Sequence, residues 1–437
     1  MDIRSAVQAT PDDRNRTVDL ARAVSISLVV LGHWLAAAVW VDDGALRFTN
    51  ILELASWTTW LTWIVQVIPV FFIAGGYANL RSFRSAEARG VQPAAWIVVR
   101  FRRLLTPVVP FLLTWLALVL ATQAAGIDPA LVRSGSLAAV TPLWFLAVYL
   151  LVIAAVPVTL RVWERLGWWS IVAGTTAAVV VDAARAATGQ DWIGWSNYVF
   201  VWFTAHQLGY RWADEERRPS PRAIGVGAAI AAVVLVASTV GGVYPISMVG
   251  IPGATRNNTL PPTAALLALT AVQYFAIRAV EPVANRFLRR TGPWTVVVSI
   301  QAVIMTLYLW HLTALALVVL AGYGLGVGFG IEPLSAAWWW TRPLWLVVLG
   351  AATWPLLWIF GRFEHRVRPV VTSPTPWLTA IGVAATIVGI AFLVVRGIVD
   401  TGGQVRWELV ALVAGGVVLV GGFPAREPSS FTRSSRT

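Results

Sequence analysis

Cysteine is absent from the chain, which excludes disulfides, thiolate nucleophiles and cysteine-ligated zinc or iron–sulfur centres. Lysine is absent too. All 33 basic residues are arginine, the side chain better suited to gripping phosphate through two N–H groups at once. Charge of either sign is scarce: 12% of residues are charged against 57% hydrophobic, with a mean hydropathy of +0.70. A soluble fold cannot hide that much apolar surface. What the chain has in quantity is apolar runs of roughly 20 residues, the length a bilayer core demands. The net charge of +12 would suggest nucleic acid in a soluble protein. Here the arginines lie in short connectors between apolar runs, so membrane lipids are the expected surroundings and no nucleic-acid partner is expected.

The pattern predicts an all-α polytopic membrane protein of about twelve transmembrane helices. They fall near 19–41, 57–78, 101–123, 142–160, 168–184, 194–210, 223–243, 261–279, 296–321, 339–360, 377–395 and 407–423. The first run lacks a small-residue cleavage pattern and reads as an uncleaved span. The amino-terminal segment, every second connector after it and the span ends beside them hold 26 of the 33 arginines, so the positive-inside rule predicts both termini in the cytoplasm. Trp57, Trp60, Trp63, Trp338, Trp339 and Trp340 fall at expected outer ends, where indoles anchor at the membrane interface. The glycines at 322, 324, 326, 328 and 330 alternate without the spacing of a dinucleotide fingerprint and read as loop. The expected organisation is a cytoplasmic segment over 1–17, a membrane core over 18–370, two further helices over 371–423 and a disordered cytoplasmic tail over 424–437.

Ionisable residues inside apolar spans are costly and are usually functional. The first span carries Asp19, Arg22 and His33. The 11 residues from Arg22 to His33 turn about 1100°, leaving the two side chains about 20° apart in azimuth and about 16 Å apart along the axis. Asp19 lies within about 60° of Arg22, so one stripe holds all three. A neutral imidazole can take a proton from a hydroxyl; the alternative for His33 is a structural histidine bonded to a neighbouring helix. Arg100 and Arg103 open the third span as an R-x-x-R pair, followed by Pro107 and Pro110. Two guanidinium groups on one face, beside the free N–H groups of a helix start, suit a phosphorylated ligand, although plain cytoplasmic anchoring would use the same residues. Tyr308 and His311 share a face in the ninth span. His206 reads as structural and His365 as solvated in an arginine-rich loop.

Together these segments resemble the acyltransferase 3 family of integral membrane acyltransferases. The likeness rests on Arg22 and His33 within "DLARAVSISLVVLGH", on "VIPVFFIAGGYAN" at 67–79, and on "RFRRLLTPVVP" from Arg100. "PLWFLAVYLL" from Pro142, "LYLWH" ending at His311, and "FEHRVRP" from Phe363 to Pro369 follow in order. The resemblance covers roughly residues 15–370. It departs from the family's ten-helix core in the two spans after residue 376, and no extracytoplasmic hydrolase-like domain follows them.

The resemblance implies an O-acyltransferase of the bacterial cytoplasmic membrane. Acyl-CoA, often acetyl-CoA, binds from the cytoplasm, and the acyl group passes to a hydroxyl of an exported or lipid-linked glycan or related metabolite. Arg100 and Arg103 then grip the donor phosphates, and Arg22, held by Asp19, stands on the donor side. His33 is the general base or takes the acyl group itself, while Tyr308 and His311 line the acceptor side. No metal and no bound cofactor are implied, CoA arriving as co-substrate. The rival from another class is a secondary transporter, whose marks are inner repeats and interrupted helices in matching halves; no convincing repeat is visible.

Overall fold

The computed structural model describes residues 3–214, 218–251, 253–364 and 375–421. His365, most of the landmark from Phe363 to Pro369, and the expected tail over 424–437 lie outside the described residues. The chain opens with α1 (Ile3–Gln8) and α2 (Arg16–Ala36), then a hairpin of β1 (Ala37–Asp42) and β2 (Ala45–Asn50). It continues through α3 (Ile51–Leu54), α4 (Thr62–Val65), α5 (Ile68–Ala88), α6 (Pro93–Ala124), α7 (Pro129–Val140), α8 (Leu143–Leu166) and α9 (Trp169–Thr188). There follow α10 (Asn197–Ala213), α11 (Pro221–Val240), α12 (Ala264–Leu288), α13 (Thr291–Ala302) and α14 (Ile304–Gly324). The last are α15 (Ala336–Glu364), α16 (Pro376–Arg396) and α17 (Trp407–Leu419).

Among the described residues, ten helical segments are long and apolar enough to cross a membrane, which makes this a multi-pass membrane protein. The expected sixth and twelfth spans are the shorter α10, of 17 residues, and α17, of 13. The first span ends five residues early. Residues 37–41 are apolar enough to continue the helix, but Asp43 and Gly44 take φ of 47° and 75°. Two successive positive φ values make a two-residue hairpin turn, so the chain folds back as paired strands in register Asp42↔Ala45. The ninth span is two helices: α13 stops at Ala302, and Val303, at φ −129°, separates it from α14. The third begins earlier than expected, because Pro93 at its first turn is pre-set for a helix start.

The helix α2 is central, packed against α5, α12, α13, α14 and α15. Its amino end is capped by the Asn15 side chain, which accepts from the Thr17 N–H. Close approach of α5 and α10 depends on missing side chains: a Cβ on Gly76 would stand 1.9 Å from the His206 carbonyl, and one on Gly209 would stand 2.0 Å from the Ile73 carbonyl. In lipid such small-residue contacts substitute for the hydrophobic drive that water supplies elsewhere. The helices α16 and α17 lie against each other, with α16 also along α8. Of the expected interfacial indoles, Trp57, Trp60 and Trp340 are exposed, but Trp338 is 1% exposed and belongs to a cluster with Ala38 and Ile51.

Candidate active site

Asp19 does not hold Arg22. Its two carboxylate oxygens accept from Arg14 Nε at 2.7 Å and Nη2 at 2.8 Å, a bidentate pair across the start of α2. The same hydrogen bonds raise the Arg14 pKa above its ordinary value. Arg22 is left with its Nε buried and without a hydrogen-bond partner, and its Cζ stands 5.5 Å over the ring of Phe71 on α5.

Arg100 and Arg103 lie about two turns inside α6, so the free N–H groups of a helix start are not beside them. What lies near is more charge. The guanidinium groups of Arg22, Arg100 and Arg103 act on one another with like sign, and Arg14 also acts on Arg103. Among the described residues the carboxylate acting on Arg103 is Glu364, and Tyr149 lies close to both Arg100 and Arg103. Arg100 Cζ also rests 5.3 Å from the ring of Trp96. Three cations from two helices thus face a shared region with little countercharge. Such an excess is stable in a membrane protein only where it meets water or an anionic ligand.

His33 stands on α2, the central helix of the bundle, with its side chain exposed. Its Nδ1 stands 3.0 Å from Nε2 of His311 on α14, with ring centroids 5.0 Å apart and 30° between planes. His311 is fully buried, and its Nδ1 is 2.6 Å from the Tyr308 carbonyl. The Trp34 indole N–H donates to the His311 carbonyl at 3.0 Å, and Trp345 on α15 donates to the Trp34 carbonyl at 2.9 Å. These bonds lock α2, α14 and α15 together at the level of the imidazoles. The Tyr308 hydroxyl donates to the Pro142 carbonyl and is buried. Tyr308 therefore meets the site through its backbone oxygen, not its phenol.

The structure brings Arg22, Arg100 and Arg103 into one electrostatic group and sets His33 beside His311; the sequence pattern alone gave neither juxtaposition. That pattern assigned no role to Arg14, Phe71, Tyr149 or Glu364, although three of these sit in segments that carry the family resemblance. A Cβ on Gly75 would stand 2.8 Å from the Tyr149 hydroxyl, so the paired glycines of "IAGGY" admit Tyr149 on one side and α10 on the other. His206 is 1% exposed, its Nε2 3.1 Å from the Asn79 amide, a bond between α10 and α5 in keeping with a structural role.

The class defined by these helices and by the cationic and imidazole groups gathered among them is a polytopic membrane protein with a polar site between its helices. The acyltransferase 3 family model, described as an acyltransferase domain, matches residues 15–362, and the chain belongs to this family. Comparison with curated proteins and with solved structures found no match. The protein is a membrane acyltransferase.

Proposed function

We propose that this acyltransferase takes an acyl group, acetyl being the first case to test, from cytoplasmic acyl-CoA. The group goes to a hydroxyl of an exported or lipid-linked glycan or related metabolite, at the bacterial cytoplasmic membrane with both termini inside. The observation that carries this reading is the division of one helix face between charge and base. Arg22 joins the guanidinium groups of Arg100 and Arg103, while His33 lies about 16 Å further along α2. A CoA thioester has the same layout, with phosphates at one end, an extended pantetheine arm, and the reactive carbonyl at the other.

In this reading the three arginines bind the phosphates by charge-assisted hydrogen bonds. A buried donor without a partner costs about 1–3 kcal/mol, which a phosphate oxygen at Arg22 Nε would recover. His33 takes the proton of the acceptor hydroxyl as its oxygen attacks the thioester carbonyl carbon. Tyr308 and His311 stand behind that base and do not touch the acceptor. The helix breaks at Val67 and Val303, a mark of transporters, are closed by protein groups: Gln66 reaches the Ile68 N–H, and Glu364 the start of α14.

The test is transfer from radiolabelled acetyl-CoA by the purified full chain to polyprenyl-linked or soluble glycans. Donor-dependent labelling that disappears in a folded His33→Ala variant supports the reading. Full activity in that variant, or donor-independent solute flux in proteoliposomes without transfer, overturns it.

A further inference from the structure

The hydrogen bonds around His311 determine which nitrogen of His33 is basic. A backbone carbonyl has no proton, so the contact of 2.6 Å between His311 Nδ1 and the Tyr308 oxygen requires a proton on Nδ1. A neutral imidazole carries one N–H, which leaves His311 Nε2 as a lone pair. His33 Nδ1, 3.0 Å from that lone pair, must then be the donor. His33 Nε2 remains as the unprotonated nitrogen of the pair.

We propose that His311 is a positioning residue that fixes His33 as its Nδ1–H tautomer and so presents Nε2 as the basic atom. This rests on the acyl-transfer reading above for its chemistry. The acceptor O–H proton moves to His33 Nε2 while the acceptor oxygen forms a C–O bond to the thioester carbonyl carbon. The C–S bond then breaks, and the CoA thiolate takes the proton from Nε2. The products are the ester and CoA thiol, and the ring returns to its starting state. Throughout, Nδ1–H of His33 stays bonded to the His311 lone pair, which receives the hydrogen bond of the transient imidazolium.

A neutral imidazole serves as orienting group where a carboxylate, costly at membrane depth, would otherwise stand. Its own place is fixed twice, by the Tyr308 carbonyl on its ring and by the Trp34 indole on its backbone. His311 is 0% exposed, so it acts on an acceptor only through His33.

The experiment is nitrogen NMR of the full chain labelled with 15N-histidine in nanodiscs. Its four histidines are assigned by single substitutions. The expected spectrum has His33 protonated at Nδ1 and bare at Nε2, with that preference lost in His311→Phe. Kinetically, His311→Phe lowers kcat by about 10²-fold with the acyl-CoA KM unchanged, and His311→Asn, whose amide oxygen accepts the same hydrogen bond, restores part of it. A wild-type spectrum with His33 protonated at Nε2, or a His311→Phe protein with full kcat, overturns the proposal. Either outcome leaves the transfer reading standing if His33→Ala is inactive. Absence of any transfer sinks that reading, while the tautomer remains readable from the spectrum.

Discussion

The Glu364 carboxylate, on the last residue of α15, accepts both the backbone N–H of Thr306 at 3.1 Å and its hydroxyl at 2.9 Å. Its other oxygen takes the Met305 N–H at 3.0 Å. The first N–H groups of any helix lack partners within it, and a negative charge there also meets the favourable end of the helix dipole. Glu364 thus closes the break at Val303 and holds the helix that presents His311. Glu364→Ala orphans two backbone donors, besides the Thr306 hydroxyl, at about 1–3 kcal/mol each. Thermal unfolding in detergent should show a clear loss for Ala and a smaller one for Glu364→Gln, which keeps one acceptor. Equal melting of wild type and Ala would remove this cap from the account of α14.

The donor side makes a separable prediction. Each charge-assisted contact is worth about 1.5–3 kcal/mol. Arg100→Ala with Arg103→Ala should therefore raise the acetyl-CoA KM by at least about 10-fold, with kcat much less affected. Lysine at both positions should restore part of the loss, since it keeps the charge but not the planar fork. Unchanged affinity in the double variant would reduce the pair to membrane anchoring.

Adjacent glycines should differ in kind. A methyl at Gly76 meets backbone, 1.9 Å from the His206 oxygen and 3.0 Å from the Gly209 Cα, and neither can yield without parting α5 from α10. Gly76→Ala should fail to give monodisperse protein on size-exclusion chromatography. A methyl at Gly75 meets no backbone but the far end of the Tyr149 side chain, 2.8 Å from its hydroxyl, which must shift to admit it. Gly75→Ala should fold, with its penalty in the acyl-CoA KM because the displaced Tyr149 lies beside Arg100. A folded Gly76→Ala protein would show that the two helices tolerate wider spacing.

What the sequence disclosed follows from regular geometry. The stripe from Arg22 to His33 is arithmetic on a helix of fixed pitch, and it survives because α2 runs unbroken from Arg16 to Ala36. The end of that helix was harder to read, since "AAVWV" is equally apolar in a strand or a helix. The signal was Asp43-Gly44, a hairpin turn pair that a hydropathy window averages away. Pairing of Asp19 with Arg14 escaped helical spacing because Arg14 precedes the cap at Asn15. The bond between His33 and His311 joins residues 278 apart in sequence, and Glu364 reaches Thr306 across 58. No periodicity encodes either contact.

The absence of cysteine makes the proposed orientation directly testable. A single introduced thiol is the only one in the chain, so no background must be removed. Ala45 begins β2, in the connector before the second membrane-spanning segment, Ser56–Ala88, and Ala88 ends that segment; both are exposed. Ala→Cys is a small change at either place. The positive-inside rule, with 26 of 33 arginines in or beside alternate connectors, makes the Ala88 side the expected cytoplasmic one. A membrane-impermeant maleimide on intact cells should therefore label Ala45→Cys and spare Ala88→Cys, and after permeabilisation it should label both. The converse pattern would place Arg22, Arg100 and Arg103 on the outer side, away from cytoplasmic acyl-CoA. The donor assignment would then fail, whatever the fate of the imidazole pair.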